Sequence, residues 1–195
     1  MMMIRAALRP VDETDRDRLL AWRNDPAVAA FMYSDDPIGR AEHDRWFDAL
    51  PANSRRRDWI VEVDGRPAGL NSLVDIDRDQ GRATVARYLA PDAPRGVGLG
   101  GFAEFKMIDH AFGPMGLRKL WSEVLASNEV AWTLHMTHGF QREALFRAHV
   151  VKGGAPRDVI GLGLLAEDWV ERRPAARTRL LDKGFSAEAL DAPLV

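Results

Sequence analysis

Ile4, Ala6 and Leu8 alternate with Arg5, Ala7 and Arg9, and a period of two closed by Pro10 predicts a half-buried strand. Thr14 then stands where a cap belongs, ahead of a helix predicted through Asn24 with Leu19, Leu20, Trp22 and Arg23 in its last turns. The apolar residues 28–33 give way to the turn Ser34-Asp35-Asp36-Pro37. A second helix follows from about residue 39 to 50, with His43, Trp46 and Phe47 at three- and four-residue spacing. Residues 59–63 and 68–76 flank Asp64-Gly65, a strong short-range hairpin signal. Residues 77–81 are polar and turn the chain into a further strand over 83–89, cut off by Pro91 and Pro94.

Beyond Arg95-Gly96-Val97-Gly98-Leu99-Gly100-Gly101, the positions Phe102, Phe105, Met107, Ile108 and Phe112 predict a helix ending before Gly113-Pro114. Residues 117–125 read as a strand and 128–138 as a helix stopped by Gly139. Residues 140–151 and 158–165 close a hairpin around Gly153-Gly154. The order β-α-α-β-β-β-α-β-α-β-β predicts an α/β fold of the α+β kind, a mixed sheet with helices on its faces. From Glu167 the pattern weakens. Arg172-Arg173-Pro174 predicts a break, and residues 175–181 with 185–190 a short helical appendix: a packed helix, a dimer element or a frayed end. One domain over residues 1–168 is therefore expected, with 169–195 as a C-terminal helical extension or tail, and 195 residues suffice for one real core.

Composition narrows the chemistry. The chain has no cysteine, which excludes disulfide scaffolds, thiolate metal sites and cysteine nucleophiles. Basic residues number 27 against 29 acidic, a net charge of −2 with no footprint for nucleic acid. Only four of the 27 are Lys, an Arg bias that codon composition explains as well as phosphate binding does. No stretch has the length and apolarity of a membrane span, so a cytoplasmic location is expected. The five His are scattered except for His135 and His138, which lack a third ligand nearby, so no metal is expected.

The glycine run carries the most chemistry. Between a strand and a helix, its glycines let backbone N–H groups approach a phosphate, and the helix dipole adds to the attraction. Gly96, Gly98 and Gly101 also satisfy G-x-G-x-x-G, with Glu123 about 20 residues on, which keeps an NAD(P)-binding oxidoreductase open. Against it stand Pro91 and Pro94 before the loop, the preceding hairpins, and the short remaining chain. No Lys-Ser or Lys-Thr follows, which excludes a Walker loop.

Arg95-x-x-Gly98-x-Gly100 resembles the acyl-CoA pyrophosphate loop of the GNAT superfamily of N-acetyltransferases. The run Asn128-Glu129-Val130-Ala131-Trp132-Thr133-Leu134-His135-Met136-Thr137-His138-Gly139-Phe140 is similar to that superfamily's Asn-x-x-Ala to Gly-Phe segment. Together with the element order, the resemblance covers about residues 4–165. Trp22-Arg23-Asn24, Val28, Met32, Glu42-His43 and Trp46-Phe47 resemble the branch that acetylates the 4-amino group of a UDP-linked amino-sugar in pseudaminic acid biosynthesis. Ribosomal-protein, peptide and antibiotic acetyltransferases share parts of that signal, and a non-catalytic acyl-CoA-binding module stands outside it.

The resemblance implies acetyl-CoA as cosubstrate, no metal, and a small-molecule amine as acceptor, expected to be a nucleotide-sugar. A homodimer stays open. Backbone groups from Tyr88 through Leu89 to Ala90 would hold the pantetheine arm, the loop of Arg95, Gly96, Val97, Gly98, Leu99, Gly100 and Gly101 the pyrophosphate, and Asn128 the arm again. Arg23, Met32, Tyr33, His43, Trp46 and Tyr88 would line the acceptor cleft, with core packing as the alternative role of Trp46. Three residues are catalytic candidates. His43 is a base candidate whose alternative is a structural His beside Trp46. His135 stands where the superfamily commonly has a Tyr that protonates the departing thiolate; its alternative is a helix-surface position. Neutral imidazole is a poor acid, so His135 would act as imidazolium, or Tyr88 would serve instead, or the thiolate would leave unaided. With no thiol to carry an acetyl group, direct attack of the amine in a ternary complex is the simplest route.

Overall fold

Strands and helices that are each apolar on one side bury one another in layers, and the computed structural model, which describes residues 3–194, has such an arrangement. Among the described residues one seven-stranded sheet forms from β1 (Ala6–Pro10), β2 (Arg57–Val63), β3 (Arg66–Asp77), β4 (Arg82–Leu89), β5 (Lys119–Leu125), β6 (Gln141–Lys152) and β7 (Ala155–Leu165). Their spatial order is β1-β2-β3-β4-β5-β7-β6. Neighbours run antiparallel except β4 and β5, which are parallel.

Alternation divides each strand between two cores. On β2, Trp59, Val61 and Val63 face one side and Ile60 the other. The first side is covered by α4 (Leu99–Phe112), whose Phe102, Phe105, Met107 and Ile108 are fully buried. The smaller core packs Leu19 of α1 (Arg16–Asn24) and Phe47 of α3 (Arg40–Ala49) on Ile60 and Leu70. Between these two helices lies the short α2 (Pro26–Ala29), and α5 (Glu129–Thr137) follows β5.

Two local expectations change. The capping residue is Asp12 rather than Thr14, and it caps the 3-10 turn that leads into α1. The Asp12 carboxylate accepts from the Thr14 amide at 2.9 Å while Asp15 accepts from the Asp12 amide at 3.1 Å, a reciprocal box around the 3-10 turn Glu13–Asp15. An aspartate two positions earlier outcompetes the threonine because its carboxylate also takes the Thr14 hydroxyl. Asp15 is itself buried between Arg9 and Arg18, which ties the helix to β1.

Nor does the chain break at Pro174. One helix, α6 (Ala166–Asp182), runs through it, followed by α7 (Ala187–Asp191). Proline removes one backbone bond, to the carbonyl of Val170, and Val170 is solvent-exposed, so water can take that carbonyl. The helix is anchored on both sides of the gap. Trp169 Nε1 donates to Asp109 at 2.8 Å, Arg173 pairs with the same carboxylate at 2.7 Å, and Ala176 and Leu180 are buried. Phe185 stacks on Phe102 with centroids 4.9 Å apart, and buried Lys106 donates to the carbonyls of Leu190 and Ala192.

Since Leu180 lies in the same core as α4, Leu180→Ala is expected to cost about 2–5 kcal/mol in urea unfolding, within one cooperative transition. A separate early transition, with the main one unmoved, would show that the C-terminal helices fold apart from the sheet.

Candidate functional site

β4 and β5 stay together for only three residue pairs, Arg82 with Lys119, Ala83 with Leu120 and Thr84 with Trp121. Beyond them each strand continues in its antiparallel partnership, β4 with β3 and β5 with β7, so a wedge opens inside the sheet. The Ala90 amide donates to Ala68 at 2.9 Å. Antiparallel alternation then turns Ala86 and Tyr88 toward β3 as well; the Val85 amide closes the last parallel pair on the Trp121 carbonyl, which leaves the amides of Arg87 and Leu89 facing the wedge. The expected backbone donors are corrected accordingly: Leu89 faces the gap, whereas Ala90 is fully buried and its amide is occupied.

A cavity of about 1120 Å3 follows the wedge. At one end lies the glycine loop. Gly96 and Gly98 have φ of 76° and 88°, and Gly98 starts α4 with no side-chain cap. The first-turn amides of Leu99, Gly100 and Gly101 therefore lack helical partners and point out of the helix end. Arg95 lines the cavity and braces the loop by donating to the Ala90 carbonyl at 2.9 Å. Gly100 reaches the cavity wall, but the side chains of Val97 and Leu99 pack into the main core, so these two can offer only backbone to a ligand. Asn128 lines the middle while its Oδ1 caps α5 through the Ala131 amide at 3.2 Å.

The other end is the space between α1, α3 and the sheet. Arg23, Met32, Tyr33, His43, Trp46 and Tyr88, which the resemblance assigns to the acceptor cleft, all line it. Tyr88 makes no hydrogen bond among the described residues through its hydroxyl, and burial pushes its pKa well up despite nearby Arg23, so it stays protonated. Arg23 is half-buried with no hydrogen bond or ion pair among the described residues, and burial lowers its pKa. His43 is more constrained. It is buried, its Nε2 lies 2.7 Å from the Arg16 carbonyl, and its ring packs 5.3 Å from Trp46. A carbonyl only accepts, so Nε2 carries the proton and only Nδ1 could act as a base.

His135 is not on the helix surface. It is 3% exposed and lines the cavity, with Nδ1 at 2.5 Å from Glu104 and Nε2 at 3.3 Å from Ser122. Sequence reading passed over Glu104 because it counted only the apolar positions of α4. The available signal was a charged residue between Phe102 and Phe105, with no exposed face left for it. Burial pushes the Glu104 pKa up, but Arg87 at 2.6 Å, His135 and His138 together outweigh it and hold the carboxyl below the usual range. Three further carboxylates line the acceptor end in roles other than those the sequence suggests: Glu42 beside His43, Asp75, expected in a solvated acidic turn, and Glu123, considered only as a ribose-binding acid after the glycine run. Glu123 accepts from the Tyr33 hydroxyl at 2.9 Å. Asp75 sits in a β3 bulge with φ of 51°, a strained conformation for a residue with a Cβ.

The family model described as acetyltransferase (GNAT) domain matches residues 5–141. Spermidine N(1)-acetyltransferase of Escherichia coli (strain K12) is 25% identical over 174 residues, covering 89% of this chain and 93% of that protein. The crystal structure of spermidine N-acetyltransferase from Vibrio cholerae in complex with CoA and spermine superposes with a TM-score of 0.80 at 20% identity, covering 85% of this chain and 98% of that one. A dodecameric structure of the same Vibrio cholerae enzyme gives 0.75 at 20% identity, covering 86% and 97%. These relatives act on polyamines by name.

The Glu104 carboxyl also links stability to pH. Its folded pKa is depressed, so its contribution is complete above the ordinary glutamate value near 4.3 and erodes as pH falls below it. Urea midpoints should drop more between pH 7 and pH 3 for the wild type than for Glu104→Gln. An equal drop in both would show that this carboxyl does not titrate as described.

Proposed function

Because the chain belongs to the acetyltransferase (GNAT) domain family, and so is an acetyl-CoA-dependent N-acetyltransferase, we propose that its acceptor is a flexible polyamine of the spermidine class. The observation that carries this reading is the charge at the acceptor end. Glu42, Asp75 and Glu123 line it against Arg23, while Arg56, the other cation there, is neutralised by Asp58 at 2.7 Å. An ammonium-bearing chain finds carboxylates in such a cleft, whereas a diphosphate would meet them as like charges. The names of the relatives support the same choice.

The residues present fit acetyl-CoA. Uncapped amides at the start of α4 suit its pyrophosphate, and the wedge amides of Arg87 and Leu89 suit the amide-bearing pantetheine arm. When bound, acetyl-CoA supplies an activated thioester carbonyl. The protein's part is to hold the amine in line with that carbonyl, to donate to the oxygen as charge grows on it, and to exclude water. Wedge amides are the donors, and Tyr88 and His135 are the groups able to give a proton.

One observation favours a second reading. Arg23, half-buried and unpaired among the described residues, suits an acceptor that carries an anionic group beside its amine.

Thiol release from acetyl-CoA distinguishes these acceptors. Spermidine is expected to give the highest kcat/KM among spermidine, an amino acid and a UDP-linked amino-sugar. Glu123→Gln should raise its KM several-fold, on the scale of about 1 kcal/mol for a charge-assisted contact, leaving the KM for acetyl-CoA unchanged. Turnover of the amino-sugar or amino acid without spermidine would make Arg23 the governing residue and overturn the polyamine reading. At the cofactor end, Gly98→Ala introduces about 1–2 kcal/mol of left-handed strain and a Cβ 2.5 Å from Lys183 Cδ. Calorimetry should show acetyl-CoA affinity falling roughly tenfold. Unchanged affinity would separate the loop from cofactor binding.

A further inference from the structure

Behind the wedge lies a buried polar chain that packing alone does not require. Glu104 of α4 is fully enclosed. Its Oε2 accepts from Arg87 of β4 at 2.6 Å, and its Oε1 faces His135 Nδ1 of α5 at 2.5 Å. The other imidazole nitrogen, Nε2, lies 3.3 Å from Ser122 Oγ of β5, and that hydroxyl donates to the Val85 carbonyl at 3.2 Å across the mouth of the wedge. His135, Ser122 and Arg87 line the cavity while Glu104 stands behind them.

Hydrogen-bond accounting assigns the protons. An ionised carboxylate only accepts, so Nδ1 carries hydrogen. The Val85 carbonyl also only accepts, so it takes the single Ser122 proton, and Nε2 must then donate to Ser122 Oγ. Both imidazole nitrogens are donors, and the ring is an imidazolium. The other groups around it are compatible. His138, 3.6 Å from Glu104, is pushed toward its neutral form by burial, and its Nδ1 donates to the Leu134 carbonyl at 3.0 Å. Phe140 presents its ring at 4.9 Å, and Arg179 of α6 is held off by the Thr137 carbonyl at 2.5 Å.

Resting on the acetyltransferase reading, we propose that Glu104 is a positioning residue. It holds His135 as an imidazolium whose Nε2 proton passes through Ser122 to the wedge, where it reaches the departing thiolate. As the amine nitrogen bonds to the acetyl carbon, the C–S bond breaks and its electron pair leaves with sulfur. Sulfur takes the Ser122 hydroxyl proton, and Ser122 takes the Nε2 proton. The acylated nitrogen sheds one proton to solvent, and solvent returns one to His135, so the cycle closes. The imidazolium supplies the proton that neutral imidazole could not.

Two measurements test this. In the 15N-histidine spectrum of the wild-type protein at neutral pH, both His135 nitrogens should carry hydrogen, with the Nδ1 proton strongly deshielded. A bare Nδ1 or Nε2 overturns the proposal whatever the activity. In kinetics, His135→Ala and Glu104→Gln should each lower kcat by about 10²-fold, and the KM for acetyl-CoA should stay within about twofold. The double variant should fall no further than His135→Ala alone, since Glu104 acts through His135. A full additional loss from Glu104→Gln on the His135→Ala background marks a structural role and overturns the proposal. If Glu104→Gln does not fold, Ser122→Ala gives the kinetic result: the same fall in kcat supports the relay, and unchanged kcat refutes it. A wild-type protein that acetylates no amine removes the functional reading and the proposal together, whereas an active wild type with an equally active Glu104→Gln removes the proposal only.

Discussion

Parallel strands that separate after three residue pairs leave backbone donors and acceptors facing each other across a space that neither strand can fill. Buried peptide groups without partners are costly, so the wedge between β4 and β5 has to be reconciled with the rest of the fold. The Val85 carbonyl is satisfied internally, by Ser122. The Val85 amide closes the ladder on Trp121, while the amides of Arg87 and Leu89 stay open to the cavity and form a ready strand edge for a ligand with amides of its own. Antiparallel pairing on both outer sides, β3 against β4 and β7 against β5, holds the edges apart and prevents the gap from closing. Other parts of the site are placed by this opening: α4 begins at one end of the cavity, α1 and α3 cover the other, and α5 crosses beside it.

The buried charges behind the wedge follow from the same geometry. Arg87 has its backbone turned to the gap and its side chain turned into the protein, where Glu104 meets it. That carboxylate is held ionised by surrounding cations against the effect of burial and can therefore orient the His135 imidazole, at the position where the family resemblance implies a phenol. A phenol is a proton donor without help, whereas an imidazole needs a carboxylate partner, and this chain has one. With no cysteine in the sequence, direct transfer between cosubstrate and amine remains the simplest course, and the long cavity has room for both.

Much of the frame could be read from residue patterns, because alternation and three-to-four spacing are local properties. The order of elements is that of the folded chain, and the residues that the resemblance assigns to the acceptor side, Arg23, Met32, Tyr33, His43, Trp46 and Tyr88, line the cavity together with Arg95 and Gly100 of the glycine loop. What escaped reading depends on neighbours distant in sequence. Glu104 looked incidental among apolar residues until Arg87 and His135, 17 and 31 positions away, closed around it. The amide of Ala90 was misassigned because its direction depends on its register with Ala68. Pro174 suggested a break because its local rule takes no account of the Asp109 and core contacts that keep α6 continuous. Glu42, Asp75 and Glu123 lie on three separate elements, and only folding gathers them.

The central claim is that the strand wedge and the uncapped start of α4 together hold acetyl-CoA. Amide hydrogen exchange with and without acetyl-CoA tests it most directly. Binding should slow exchange at Arg87 and Leu89 and at Leu99, Gly100 and Gly101, while Val85, already bonded to β5, and Ala86, Tyr88 and Ala90, already bonded to β3, change little. Protection confined to the C-terminal helices, with the wedge and loop amides exchanging as before, would contradict the account.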